Sequence, residues 1–183
     1  MSRMTALTVA WIEKVAFAVC MISLTLAQQP RNWRDDLPTA WGPLTDGWQL
    51  AIACEKQSYR GNEPLRFRLV AQNESAKSIR AVLTTSPWRM ADFKVIRAGD
   101  GKVLALRPSR DERERLERGA ASQQFVVVAP GRTVSIGELD LRQLFDLSAG
   151  TYSVIATAKL TSPTAIASTP VRSNEITVTI LGQ

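Results

Sequence analysis

The sequence predicts an all-β protein: an antiparallel β-sandwich of about eight or nine strands, preceded by an N-terminal apolar helix. Three observations carry this prediction. Apolar and polar residues alternate with period two in short runs from Trp48 to Ile180. Turn-forming pairs, among them Asp100-Gly101 and Pro130-Gly131, separate the runs. Finally, Leu147-x-x-Gly150-x-Tyr152-x-Val154 sets a tyrosine two residues before an inward apolar position. That is the pattern of a tyrosine corner, whose hydroxyl ties back to the backbone beside a bend between sheets.

The elements follow in order. Val15 to Ala27 holds no charge and is preceded by Arg3 and Lys14. Thr25 and Ala27 are small residues at −3 and −1 of a cut after Ala27, so residues 1–27 read as a secretory signal peptide. Thirteen residues are too few to span about 30 Å of hydrocarbon. Read with Met4 to Ile12, however, the run becomes 24 residues broken only by Glu13-Lys14. An uncleaved anchor that associates with a membrane through residues 4–27 therefore stays open. Either way the domain is expected on the far side of a membrane, in the periplasm or outside the cell.

Residues 28–46 read as a linker broken by Pro30, Pro38 and Pro43 and containing Trp33 and Trp41. Packing of these tryptophans on the neighbouring domain is favoured over a role in sugar or membrane binding. The sandwich is expected over 47–183. Trp48, Leu50, Ile52 and Cys54 share one face of the first strand, where a cysteine acts as a small hydrophobe. Tyr59 to Pro64 is a turn, and Leu65, Phe67, Leu69 and Ala71 alternate along the next strand. Asn73 to Ser78 turns the chain into a strand from Ile79 to Thr84, and Trp88 reads as a core tryptophan. Asp100-Gly101 between Phe93-x-Val95 and Val103 to Leu106 predicts a hairpin.

Arg107 to Gly119 interrupts the pattern with Arg107, Arg110, Arg113, Arg115 and Arg118 and four acids between them. Asp111–Arg115 and Glu114–Arg118 have the i, i+4 spacing that supports a helical turn. The interleaved acids and the lack of aromatic residues make nucleic acid an unlikely partner. These five arginines form the candidate partner-binding loop. Gln124 to Ala129 and Thr133 to Leu139 read as strands, Asp140 to Leu147 as a short crossover. Tyr152, Val154, Ala156 and Ala158 face inward on the next strand. Thr161 to Glu175 reads as a long polar loop and a second binding surface, and Ile176 to Ile180 as the last strand.

From about Trp41 to Leu181 the chain resembles bacterial secreted immunoglobulin-like domains. The resemblance rests on Trp41-Gly42, on Lys56-x-x-Tyr59-x-Gly61-x-Glu63-Pro64, and on Asn73-Glu74-Ser75. It rests further on Pro130-Gly131, Gly150-Thr151-Tyr152 and the closing run Ser173 to Ile180. The chain is more distantly similar to the intracellular proteinase inhibitor type of sandwich. The resemblance implies an immunoglobulin-like fold and says little about activity. Val154 stands where antibody domains carry a cysteine, and it is expected against Phe67 or Leu69.

Composition limits the chemistry. The chain has 183 residues, no histidine, and two cysteines, Cys20 and Cys54. That removes histidine-dependent nucleophilic catalysis and the usual zinc sites. No cofactor is expected. The net charge is +6, or +5 once Arg3, Lys14 and Glu13 leave with residues 1–27 (21 basic against 16 acidic). The functional expectation is a non-enzymatic exported module that binds a protein or glycan through its loops. The alternative is an accessory subunit of a membrane complex, held by its uncleaved helix.

Overall fold

In the computed structural model, residues 36–84, 87–107, 123–161 and 168–182 are described. Among these, nine strands follow one another: β1 (Trp48–Cys54), β2 (Ser58–Tyr59), β3 (Arg66–Asn73), β4 (Ile79–Thr84), β5 (Ala91–Arg97), β6 (Gln123–Val128), β7 (Thr133–Asp140), β8 (Gly150–Thr161) and β9 (Ser168–Ile180). The only helical pieces among them are α1 (Pro87–Met90) and a 3-10 turn at Leu141–Gln143. The protein is all-β in its described part. The N-terminal apolar helix expected before it lies outside the described residues.

Alternation sets the inward face that the sequence predicts, but the other face of β1 and β3 is also covered in part, where Ala51, Arg68 and Val70 are buried. In β1, Trp48, Leu50 and Ile52 are buried, and in β3 so are Phe67, Leu69 and Ala71. Tyr152, Val154, Ala156 and Ala158 of β8 are all fully buried. Strand order along the main sheet is β5-β8-β9-β1-β3-β7, with β2 on β9, while β4 and β6 form a separate two-stranded sheet. The path curls so that both ends share one core: Phe67, Leu69 and Val154 belong to a single cluster of buried side chains. That cluster also includes Ile79, Ala81, Leu83 and Val128 from the small sheet.

The pairing is mixed rather than purely antiparallel. β9 runs parallel to β1 at Leu50↔Ser173 and parallel to β2 at Ser58↔Thr179. Period-two alternation fixes a strand's faces but not its neighbour more than a hundred residues away, so these parallel contacts left no trace in the pattern.

Two local expectations change. Asp100-Gly101 does turn the chain: Lys102 N–H donates to Asp100 Oδ1, and Gly101 has φ of 67°. The hairpin closes over a short span: Arg97 N–H donates to Lys102 O at 3.0 Å and Leu104 N–H to Val95 O at 2.9 Å, with an antiparallel bridge at Ile96↔Val103. Val103 to Leu106 does not extend into a full strand, and the long partner of β5 is β8. Thr161 to Glu175 is not one long loop, because β9 begins at Ser168 and pairs back to Thr161. Val171 and Ser173 are buried on its inner face, so the polar look of this stretch came from its outward residues. Trp88 falls within α1, and its side chain lies outside the described residues.

The compact unit spans Leu37 to Gln183. Gly42, within the stretch read as a linker, donates its N–H to Leu50 O at 2.8 Å. A Cβ on Gly42 would stand 2.1 Å from Arg172 O, so only glycine fits against β9 there. The Tyr152 hydroxyl donates to Ser148 O at 2.9 Å, the bond a tyrosine corner requires. Arg97 adds a bond to Ser148 Oγ at 3.2 Å and places its guanidinium 5.9 Å from the Tyr152 ring centroid.

Candidate interaction surface

The most exposed apolar strand surface in the described residues is the outer face of the β4–β6 sheet. In β4, Ile79, Ala81 and Leu83 turn into the core, which leaves Arg80 and Val82 outside. In β6, Val128 is buried and Val126 half-buried, which leaves Phe125 and Val127 on the other face. The register pairs Val82 with Phe125 and Arg80 with Val127, so the four side chains form one patch. Phe125 is 58% exposed and Val127 73%. The Arg80 guanidinium lies 4.5 Å from the Phe125 ring centroid, a cation–π contact.

Asn73 anchors this small sheet to the main one. Its Nδ2 donates to Val128 O and Lys77 O, both at 2.8 Å. Its Oδ1 accepts from Ser75 N–H at 2.9 Å and Ser75 Oγ–H at 2.7 Å. The side chain is fully buried and its donors and acceptor are used. The Asn-x-Ser turn read from the sequence is thus a joint between sheets.

A second feature is an open cavity of about 610 Å³ where β1 and β9 part company. Asn174 bridges the two strands at its upper end: its Oδ1 accepts from Ile52 N–H at 2.8 Å and its Nδ2 donates to Ile52 O at 3.2 Å. Below that bridge the cavity is lined by Cys54, Glu55, Lys56 and Glu175 among others. Their chemistry is quiet. Burial pushes the Cys54 thiol above its ordinary value, so it is protonated at neutral pH and a poor nucleophile. Lys56 is paired with Glu63 at 2.8 Å, and this contact with the Arg60 N–H holds the Glu63 carboxyl below its usual range. Glu175 accepts from the Ser153 hydroxyl. Nearby, burial pushes the Tyr59 phenol up to about 12. Among the described residues, no group of three or more Cys, Asp or Glu is placed to hold a metal ion.

Of the five arginines in the predicted binding loop, only Arg107 is described. It is exposed, its N–H donates to Leu144 O, and its guanidinium pairs with Asp146 at 2.5 Å. Arg110, Arg113, Arg115 and Arg118 lie outside the described residues. The surface that sequence reasoning missed is Arg80, Val82, Phe125 and Val127. A signal for it was present: Gln123 to Ala129 is an uncharged run in which both faces of the strand, not one, are apolar.

No family model matches the chain, and no curated protein matches it. Solved structures give only distant likenesses. The C-terminal domain of wzt is 14% identical over 80% of this chain and 81% of its own, with a TM-score of 0.45. The CARDB domain of PF1109 from Pyrococcus furiosus, solved with two metal ions, is 8% identical over 77% of this chain and all of its own, with a TM-score of 0.37. A β-glucosidase from Erythrobacter marinus is 14% identical over 73% of this chain with a TM-score of 0.39, and this chain spans only 15% of it.

Proposed function

We propose that the chain is a non-enzymatic interaction module, immunoglobulin-like in class, that is exported and binds a protein partner through the outer face of β4 and β6. One observation carries the reading. Phe125 and Val127 stand mostly in solvent on a strand pair whose inner side chains seal the core. Contiguous exposed apolar surface of this kind marks contact with another molecule. The patch offers few hydrogen-bonding groups, which suits a protein more than a glycan. The immunoglobulin-like class is supported by the Tyr152–Ser148 bond and by the core shared between β3 and β8. Export is supported by the uncharged run before Ala27.

The test places a photo-crosslinking amino acid at position 125 or 127 of the full chain in its native cell. Adducts to another polypeptide are expected from both positions and from neither Asp92 nor Lys159, which are exposed elsewhere. Absence of adducts, or adducts with lipid alone, refutes the assignment. The intact mass of the same protein decides the route. Loss of residues 1–27 fits a signal peptide, whereas a full-length mass fits the alternative, a membrane-complex subunit anchored through residues 4–27.

A further inference from the structure

We infer that the partner docks as an extended acidic segment that adds a strand to the free edge of β6. This rests on the reading above and names the chemistry of its partner. Among the described strands β6 pairs with β4 alone. The β4–β6 register runs from Ile79↔Val128 to Thr84↔Gln123 without a shift, so no bulge bends the edge away. From Gln123 to Ala129 there is also no charge and no proline. Natural sheet edges are normally blunted by one of these devices. An unblunted edge presents main-chain donors and acceptors that another strand satisfies.

The side chains say which kind of strand. Phe125 and Val127 are two residues apart on the outer face, so they match apolar side chains at alternate positions of an incoming segment. Arg80 reaches across from β4 to lie over Phe125, and among the described residues no carboxylate pairs with it. An added strand would stand about 4.8 Å beyond β6, close enough for a carboxylate to meet that guanidinium. A lysine there would be repelled. The chain's net charge of +6 acts in the same sense: it opposes a second copy and draws an acidic partner.

The probes are a fluorescent octapeptide Thr-Val-Thr-Val-Thr-Glu-Thr-Val, whose valines and glutamate share one face of a strand, its counterpart with lysine in place of the glutamate, and vesicles of phosphatidylcholine with phosphatidylglycerol, each with the full chain at neutral pH and low salt. The glutamate peptide is expected to bind about five-fold tighter than the lysine peptide, the scale of an exposed ion pair. It should slow amide exchange in β6 and leave β2 unchanged. Arg80→Gln should erase the preference and Arg80→Glu invert it; Arg80 is exposed, so both variants should fold. Failure of the glutamate peptide to bind, equal binding of both peptides, or binding without protection of β6 overturns the inference. So does binding to vesicles alone, or self-association through β6 in sedimentation. Crosslinks from positions 125 and 127 that persist while the peptide fails would leave the interaction reading standing and remove only strand addition.

Discussion

Ser173 and Asn174 are neighbours in sequence but serve different strands. At the bulge between β8 and β9, Ala156 faces two residues of β9, and its N–H would be left over. Ser173 Oγ accepts it at 2.9 Å. Asn174 points the other way and holds both polar groups of Ile52, as a strand would. Asn174→Ala strips the partners from a part-buried amide and carbonyl beside the open cavity, so it should cost about 1 kcal/mol in urea unfolding. Asn174→Asp keeps the acceptor but sets a carboxylate against Ile52 O, so this variant should regain stability as acid protonates it. A flat pH profile for Asn174→Asp would mean that the bridge is not made. Tyr59 gives a second pH signature. Burial favours its neutral phenol, with the value in the folded state about 12 against about 10 when unfolded. Its stabilisation is therefore intact below pH 10 and is lost as pH rises from 10 through 12. The loss should amount to roughly 2–3 kcal/mol. Tyr59→Phe should flatten that alkaline decline, and an unchanged decline would assign it to other groups.

At the scale of elements, what could be read from the sequence was what a strand shows locally. β1, β3, β4, β7 and β8 are written in their alternation, and the corner at Tyr152 in its Leu-x-x-Gly-x-Tyr spacing. β9 was half hidden. Pro170, Arg172 and Glu175 made its first half look like loop, because a strand with one wet face and small inward residues such as Ser173 lacks apolar contrast. Asp100-Gly101 marked both the turn and the start of its hairpin at Ile96↔Val103, but not how short that pairing is, since turn chemistry fixes the bend and packing decides how far a strand continues. β7 carries a device that alternation alone obscures. Its register slips between Leu69 and Val70, Ile136 takes the extra place in the core, and Gly137 absorbs the distortion with φ of 146°. The candidate surface was illegible for a related reason. Sequence reasoning sought function in charged loops such as Arg107 to Arg118, whereas the exposed patch is apolar and reads as ordinary core until the register shows which side faces water.

At the scale of the whole unit, the question is whether the two ends of the strand path behave as separate layers or as one body. β1 holds them by little main-chain pairing with β9, a single bridge at Leu50↔Ser173, supported by the Asn174 side chain. Side-chain packing is far more extensive: Phe67 and Leu69 from one end share a cluster with Val95, Tyr152 and Val154 from the other. Burial of one such side chain is worth several times a net hydrogen bond, so the core rather than the bridge should set cooperativity. Phe67→Ala should cost about 3–5 kcal/mol through the cavity it opens in β3. If one core governs both ends, hydrogen exchange will show β8 and β9 amides losing the same protection as those of β1 and β3. Val154→Ala should reproduce the loss in the opposite direction, at smaller size. Protection that falls at the mutated end alone would instead mean that the layers open independently and that the sparse β1–β9 seam, not the shared core, limits the fold.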